Sequence, residues 1–214
     1  MTELMTILDT PDQPAHASLV EKKSDFIGDA CHVESLTQAM EAVEAIRARH
    51  PKARHTAYAA ICGESKGSSS ERMSDDGEPS GTAGKPILDL IRAKNLTDCL
   101  VTVTRYFGGI LLGSGGLIRA YASGASLALK AAQLASIQHF QSYAVPLEYH
   151  QLGSFQHILA GLGGRQTGQS YSDKVVLEVL VPLESSDRFA SQVQEAFSAQ
   201  VSLHALGQVS MPVR

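Results

Sequence analysis

The chain has 214 residues, of which 43% are hydrophobic and 19% charged, with a formal net charge of −4. This suits one large or two small globular domains and excludes wholesale disorder. It also excludes a polycation, so any contact with nucleic acid has to use a local basic patch. The three cysteines, Cys31, Cys62 and Cys99, are odd in number and widely spaced. They read as small buried hydrophobes in a reducing compartment rather than a disulfide framework. No basic segment followed by an apolar one opens the chain, and no apolar run is of bilayer length, so a cytoplasmic protein without membrane contact is expected.

Residues 1–15 mix polar side chains with Pro11 and Pro14 and read as a loosely held lead-in. Two short β-like pieces, 18–21 and 26–31, are broken by the polar KKSD. Over 34–50, Leu36, Ala39, Met40, Val43 and Ile46 recur at helical spacing, with Ser35 to cap the helix and Pro51 beyond its end. HTAYAAICG (55–63) alternates like a strand, and the serine-rich ESKGSSSERM (64–73) predicts a mobile loop. Pro86 suits the first turn of a helix reaching about Lys94. LVTVTRY (100–106) is the strongest strand, and a glycine-rich turn leads from it into a helix over 117–134. Together these predict one α/β domain over 16–135. Residues 136–214 then read strand 138–149, helix 152–162, strand 164–171 and, after a turn at Ser172 and Asp173, strand 174–181. A helix capped by Ser185 or Ser186 and a strand over 201–209 complete the order β-α-β-β-α-β, the ferredoxin-like pattern.

Function is expected in residues 74–121, where acidic residues, a lysine, an Arg-Tyr pair and two glycine-rich loops crowd together. GTAGKP is not a nucleotide-binding P-loop. Pro79 stands where its first glycine belongs, and Pro86 replaces the metal-binding hydroxyl after Lys85. GGILLGSGG fails as a dinucleotide fingerprint because Ile118 occupies the third glycine position. Its glycines either shape a tight turn or leave the N–H groups of Gly115, Gly116 and Leu117 facing an anion at a helix start.

Asp75, Asp76 and Glu78 admit three readings. They form a turn accepting backbone N–H groups, hold a hard cation with His50 or His55 nearby, or meet a partner's basic side chains. No metal-ligand pattern is present, and no cofactor is expected. The basic run Arg47, Arg49, Lys52, Arg54 and His55 reads as a complement to a helix C-terminus or as a phosphate-contacting patch. Lys85, Arg105 and Arg119 are candidates to join such a patch. Arg105 and Tyr106 end the best strand, and with Gly84, Lys85, Gly115, Gly116 and Arg119 they make the candidate face for an anion or partner. No GxSxG motif appears, and no cysteine has an evident histidine partner. The enzyme alternative is a small acid/base or metal-assisted hydrolase using Asp75, Asp76 or Glu78 with His55, which needs carboxylates converging on one pocket.

SDDGEPSGTAGKP, RYFGGILLGSGGLIRAY and HPKARHTAY, with KKSDFIG early and EYHQLG later, together resemble the IMPACT family, in particular its two-domain bacterial members. The likeness spans nearly the whole chain. It implies an α+β protein whose N-terminal domain has the fold of the second domain of ribosomal small-subunit protein five. It also implies a C-terminal ferredoxin-like domain similar to the last domain of elongation factor G. A translation- or nucleic-acid-related binding role follows by analogy, with RNA, the ribosome or a translation-related protein as partner and no established reaction.

Overall fold

The structure, a computed structural model, describes residues 3–63, 67–171 and 174–213. It divides into two units, residues 1–137 with 212–214, and residues 138–211. The first unit opens with strand β1 (Met5–Ile7), where a loose lead-in was expected. The Met5 N–H donates to the Asn95 carbonyl, Ile7 is fully buried, and Met5 pairs with Ser136 at the start of β7 (Leu134–Leu147). Pro11 and Pro14 lie beyond the end of that strand.

Five further strands form an antiparallel sheet: β2 (Ala15–Glu21), β3 (Ser24–His32), β4 (His55–Cys62), β5 (Ser70–Ser74) and β6 (Cys99–Tyr106). Their order is β2-β3-β6-β4-β5. KKSD is not a break between two short pieces. Lys22 and Lys23 take φ 48° and 64°, the two-residue hairpin turn whose twist matches the flanking strands, and Glu21 faces Ser24 across it. Residues 70–74 likewise pair with β4 instead of forming loop. As an edge strand with mostly exposed side chains, β5 has no alternating apolar pattern to announce it. The rest of that expected loop includes residues 64–66, outside the described residues.

Helix α1 (Leu36–Arg49) starts at Ser35, whose side chain accepts from the Gln38 N–H, and packs Ala39 and Val43 on one sheet face with Tyr58, Ala60 and Leu100. Helices α2 (Gly84–Ala93) and α3 (Ser114–Ala131) cover the other face, setting Ile87, Ile91, Tyr121 and Ala125 against Phe26, Ala57, Val101 and Val103. Central β6 is therefore buried on both faces, which explains its unbroken β-branched run. The chain leaves α3 at Ala131 and has entered β7 by Leu134, earlier than the expected helix end. Cys31, Cys62 and Cys99 are buried and unbridged. Burial pushes the Cys31 and Cys62 thiols up to about 12 and about 11 and raises Cys99 as well, so they remain inert packing groups.

In the second unit β7 is followed by α4 (Leu152–Gly161), β8 (Arg165–Tyr171), β9 (Val175–Pro182), α5 (Ser186–Ala196) and β10 (His204–Val213). The strands lie in the order β10-β7-β9-β8. Phe155, Leu159, Phe189 and Val193 on the helices pack with Val145, Leu147, Leu177 and Val179 on the sheet. The expected serine cap of α5 is not made. Ser185 forms no side-chain cap bond, and Ser186 Oγ pairs with the Tyr143 hydroxyl at 2.7 Å. The turn expected at residues 172 and 173 lies outside the described residues.

Candidate functional site

Within the acidic motif Glu78 is buried and Asp75 and Asp76 are half-buried, each engaged by partners from the fold itself. Helix α2 begins at Ala83 with no side-chain cap of its own. Its orphan N–H groups are met from the preceding turn: Ala83 and Gly84 donate to Asp75 Oδ1 at 2.9 and 2.8 Å, and Gly81 to Oδ2 at 2.8 Å. Gly84 has to be glycine, because a Cβ there would sit 2.7 Å from the Ser74 carbonyl oxygen. Burial works against ionising Asp75, but the three N–H groups outweigh it and hold the carboxyl below its usual value.

A depressed folded-state pKa stabilises above the unfolded value of about 3.9, and that stabilisation is lost as pH falls through the folded value. Urea unfolding between pH 7 and pH 2 should therefore show Asp75→Asn less stable than wild type at neutrality and less sensitive to acid. Parallel curves for the two proteins would refute this role.

Asp76, at φ +48°, ties three elements together. Its Oδ1 pairs with Arg47 Nη2 at 2.6 Å, Oδ2 accepts from the Thr56 N–H at 2.6 Å, and its carbonyl accepts from His55 Nδ1 at 2.7 Å. Glu78 is 9% exposed, and its Oε1 accepts from both Arg105 Nη1 at 2.7 Å and the Tyr121 hydroxyl at 2.8 Å. Burial, then the Glu78 charge, raise the Tyr121 pKa, so the phenol stays a donor. The three carboxylates thus serve three separate sets of partners and form a brace. Among the described residues no group of three or more His, Cys, Asp or Glu is placed to hold a metal.

The basic candidates scatter. Arg47 also pairs with Glu44, and Arg49 Nη2 donates to the Pro11 carbonyl. Lys85 pairs with Asp89 one turn along α2, and Tyr106 shares a 3.0 Å hydrogen bond with His50 Nδ1. Arg105 is 6% exposed and does not project into solvent. It is the counter-charge of a buried carboxylate. Lys52, Arg54 and Arg119 are exposed, with no ion pair among the described residues. Arg119 lies along the first turn of α3, its Nη1 3.6 Å from where a Cβ on Gly115 would stand. That turn begins at Gly113 with neither a side-chain cap nor an acidic residue. Gly115 and Gly116 lie in it as expected, but the Leu117 N–H is not free, since it donates to the Gly113 carbonyl at 2.9 Å.

Sequence reasoning about charge overlooked the apolar side of this segment. Phe107, Ile110, Leu111 and Ile118 are 45%, 41%, 83% and 41% exposed. Gly108 is clamped to the β2–β3 hairpin, where an added Cβ would lie 1.8 Å from the Lys23 carbonyl oxygen. Gly109 and Gly113, at φ +85° and +70°, flank Ile110 and Leu111, which are exposed, and Leu112, which packs on the core. The hairpin lysines Lys22 and Lys23 are exposed beside it. A cleft of about 260 Å³ runs between them and α3, lined by Leu19, Glu21, Lys22, Leu112, Arg119 and Ser123, among others. The signal in the sequence is a run of large aliphatics closed at both ends by glycine pairs.

Two mixed α/β units, one carrying an internally braced acidic turn beside a glycine-flanked apolar loop, define the class of protein. Residues 22–129 match the Impact N-terminal domain and residues 145–200 a domain of unknown function, DUF1949. The chain belongs to the IMPACT family. It is 35% identical over 185 residues to the IMPACT family member YigZ of Escherichia coli (strain K12), covering 86% of this chain and 91% of that one. It is 32% identical over 186 residues to the IMPACT family member YvyE of Bacillus subtilis (strain 168), covering 87% and 85%. A solved structure described as a crystal structure of a hypothetical protein matches with a TM-score of 0.62 at 32% identity, over 97% of this chain and 99% of that one.

Proposed function

We propose that this chain is a non-enzymatic, cytoplasmic regulatory binding protein linked to translation, contacting RNA, the ribosome or a translation factor. One observation carries the reading. The acidic motif is consumed inside the fold, whereas residues 107–119 hold four large apolar side chains in solvent beside three cations without ion pairs among the described residues. Membership of the IMPACT family implies a first unit like the second domain of ribosomal small-subunit protein five and a second unit like the last domain of elongation factor G, and that expectation favours translation as the setting. The β-α-β-β-α-β order of the second unit is compatible with that likeness.

The second unit contributes a protein-facing contact rather than a phosphate-facing one. Arg165 lies over the Phe140 ring at 4.7 Å, and Lys174 pairs with Glu148 at 3.2 Å. Binding of the purified protein to ribosomal subunits and short RNAs across a salt series tests the proposal. Wild type should bind more weakly as salt rises, and Arg119→Ala should reduce the slope by about 1 if that side chain meets a phosphate. Absence of binding at low salt would overturn the reading.

A further inference from the structure

The brace leaves Arg105 incompletely satisfied. Its Nη1 donates to Glu78, but among the described residues Nε has no acceptor, and it is shut off from solvent in a residue only 6% exposed. Folded proteins seldom leave such a donor empty, and a common reason is a group that binds there. The guanidinium carbon lies 5.5 Å from the centre of the Phe26 ring and 5.4 Å from that of Phe107. Phe26 is wholly buried, whereas Phe107 is 45% exposed and is the ring that reaches solvent. The backbone just after it is fixed where Gly108 abuts Lys23. Rotation of the Phe107 side chain about its own bonds therefore uncovers the guanidinium without disturbing the sheet.

We propose that Arg105 is the floor of an oxyanion site covered by Phe107. Two oxygens of a carboxylate or phosphate group accept there from Nε and from Nη2, for which the described residues provide no acceptor. Arginine presents these two nitrogens as a planar fork matched to such a pair of oxygens. Glu78 already balances the guanidinium charge, so the anion's own charge has to be offset elsewhere. Lys22 and Lys23, exposed at the hairpin tip that holds Gly108, supply positive potential at the entrance. The proposal rests on the reading of residues 107–119 as the contact face, to which it adds the chemical group recognised.

The test follows the Arg105 Nε–H resonance of ¹⁵N-labelled protein during titration with sodium phosphate and, separately, sodium acetate. Sodium chloride holds the ionic strength constant. A saturable shift with either anion is expected, and comparing the two arms tells a phosphate source from a carboxylate source. Phe107→Ala removes the cover without touching the ion pair and should strengthen binding about fivefold, by raising the fraction of molecules that are open. A resonance unmoved by both anions in wild type and in Phe107→Ala would overturn the proposal and leave a buried water as the partner of Nε. Ribosome binding alongside an unmoved resonance defeats this site alone. A responsive resonance without ribosome binding defeats the contact reading alone.

Discussion

Glu78→Ala is expected to cost about 3–5 kcal/mol of folding stability, because it leaves a buried guanidinium without its counter-charge. Arg105 is 6% exposed, and Glu78 supplies its one hydrogen-bonded acid, through the same oxygen that accepts from the Tyr121 hydroxyl. Losing the carboxylate therefore strands two donors at once. The double variant Glu78→Gln with Arg105→Met removes both charges and keeps an acceptor for Tyr121, so it should recover at least half of the loss. Urea unfolding of wild type, Glu78→Gln, Arg105→Met and the double variant forms a double-mutant cycle that isolates the coupling. A Glu78→Ala cost below about 1 kcal/mol is what an exposed pair would give and would refute the brace.

Gly28→Ala should be nearly as damaging, by a different route. A Cβ on Gly28, in central strand β3, would lie 2.4 Å from the Gly124 carbonyl oxygen and 3.1 Å from Ala128 Cβ on α3. The nearer atom is backbone, so no side chain can swing aside and helix and sheet must separate. Overpacking of this kind costs typically about 1–3 kcal/mol, and the upper end is expected here. Gly153→Ala in α4 makes the control, because a Cβ there meets nothing within 4 Å. It should be neutral or stabilising by about 0.5 kcal/mol, through helix propensity. Equal melting temperatures for Gly28→Ala and wild type would refute a tight approach of α3 to β3 at this position.

Elements with a strong apolar period were legible from sequence. Helix α1 was evident from its spacing and Ser35 cap, and β6 from its β-branched run, since core burial writes both patterns directly. Elements held mainly by backbone pairing were not. Strand β5 keeps its side chains largely in water, β1 is three residues long, and the hairpin turn uses two lysines where glycine or asparagine is usual. Charge was the least reliable guide to the site. Asp75, Asp76 and Glu78 looked like part of a binding face, and in the fold they tie α1, α2, α3 and the sheet together. Their pairing depends on residues up to 43 positions apart, as for Glu78 and Tyr121, and no local pattern encodes that. The exposed aliphatics of residues 107–118 were visible in sequence, but a short apolar run reads equally as core until the fold is seen to leave Ile110 and Leu111 exposed between its glycines.

The proposed function places the contact on residues 107–119 and gives the acidic motif a supporting part. Binding of ribosomal subunits by Leu111→Asp, compared with Lys85→Ala, tests it most directly, with circular dichroism to establish that both variants fold. Leu111 is 83% exposed, so the change should leave stability within about 0.5 kcal/mol. It should weaken binding at least about tenfold, and Lys85→Ala, which removes a lysine already paired with Asp89, should alter it less than about twofold. Full binding by Leu111→Asp with loss in Lys85→Ala would contradict the claim and return the contact to the α2 side of the acidic motif.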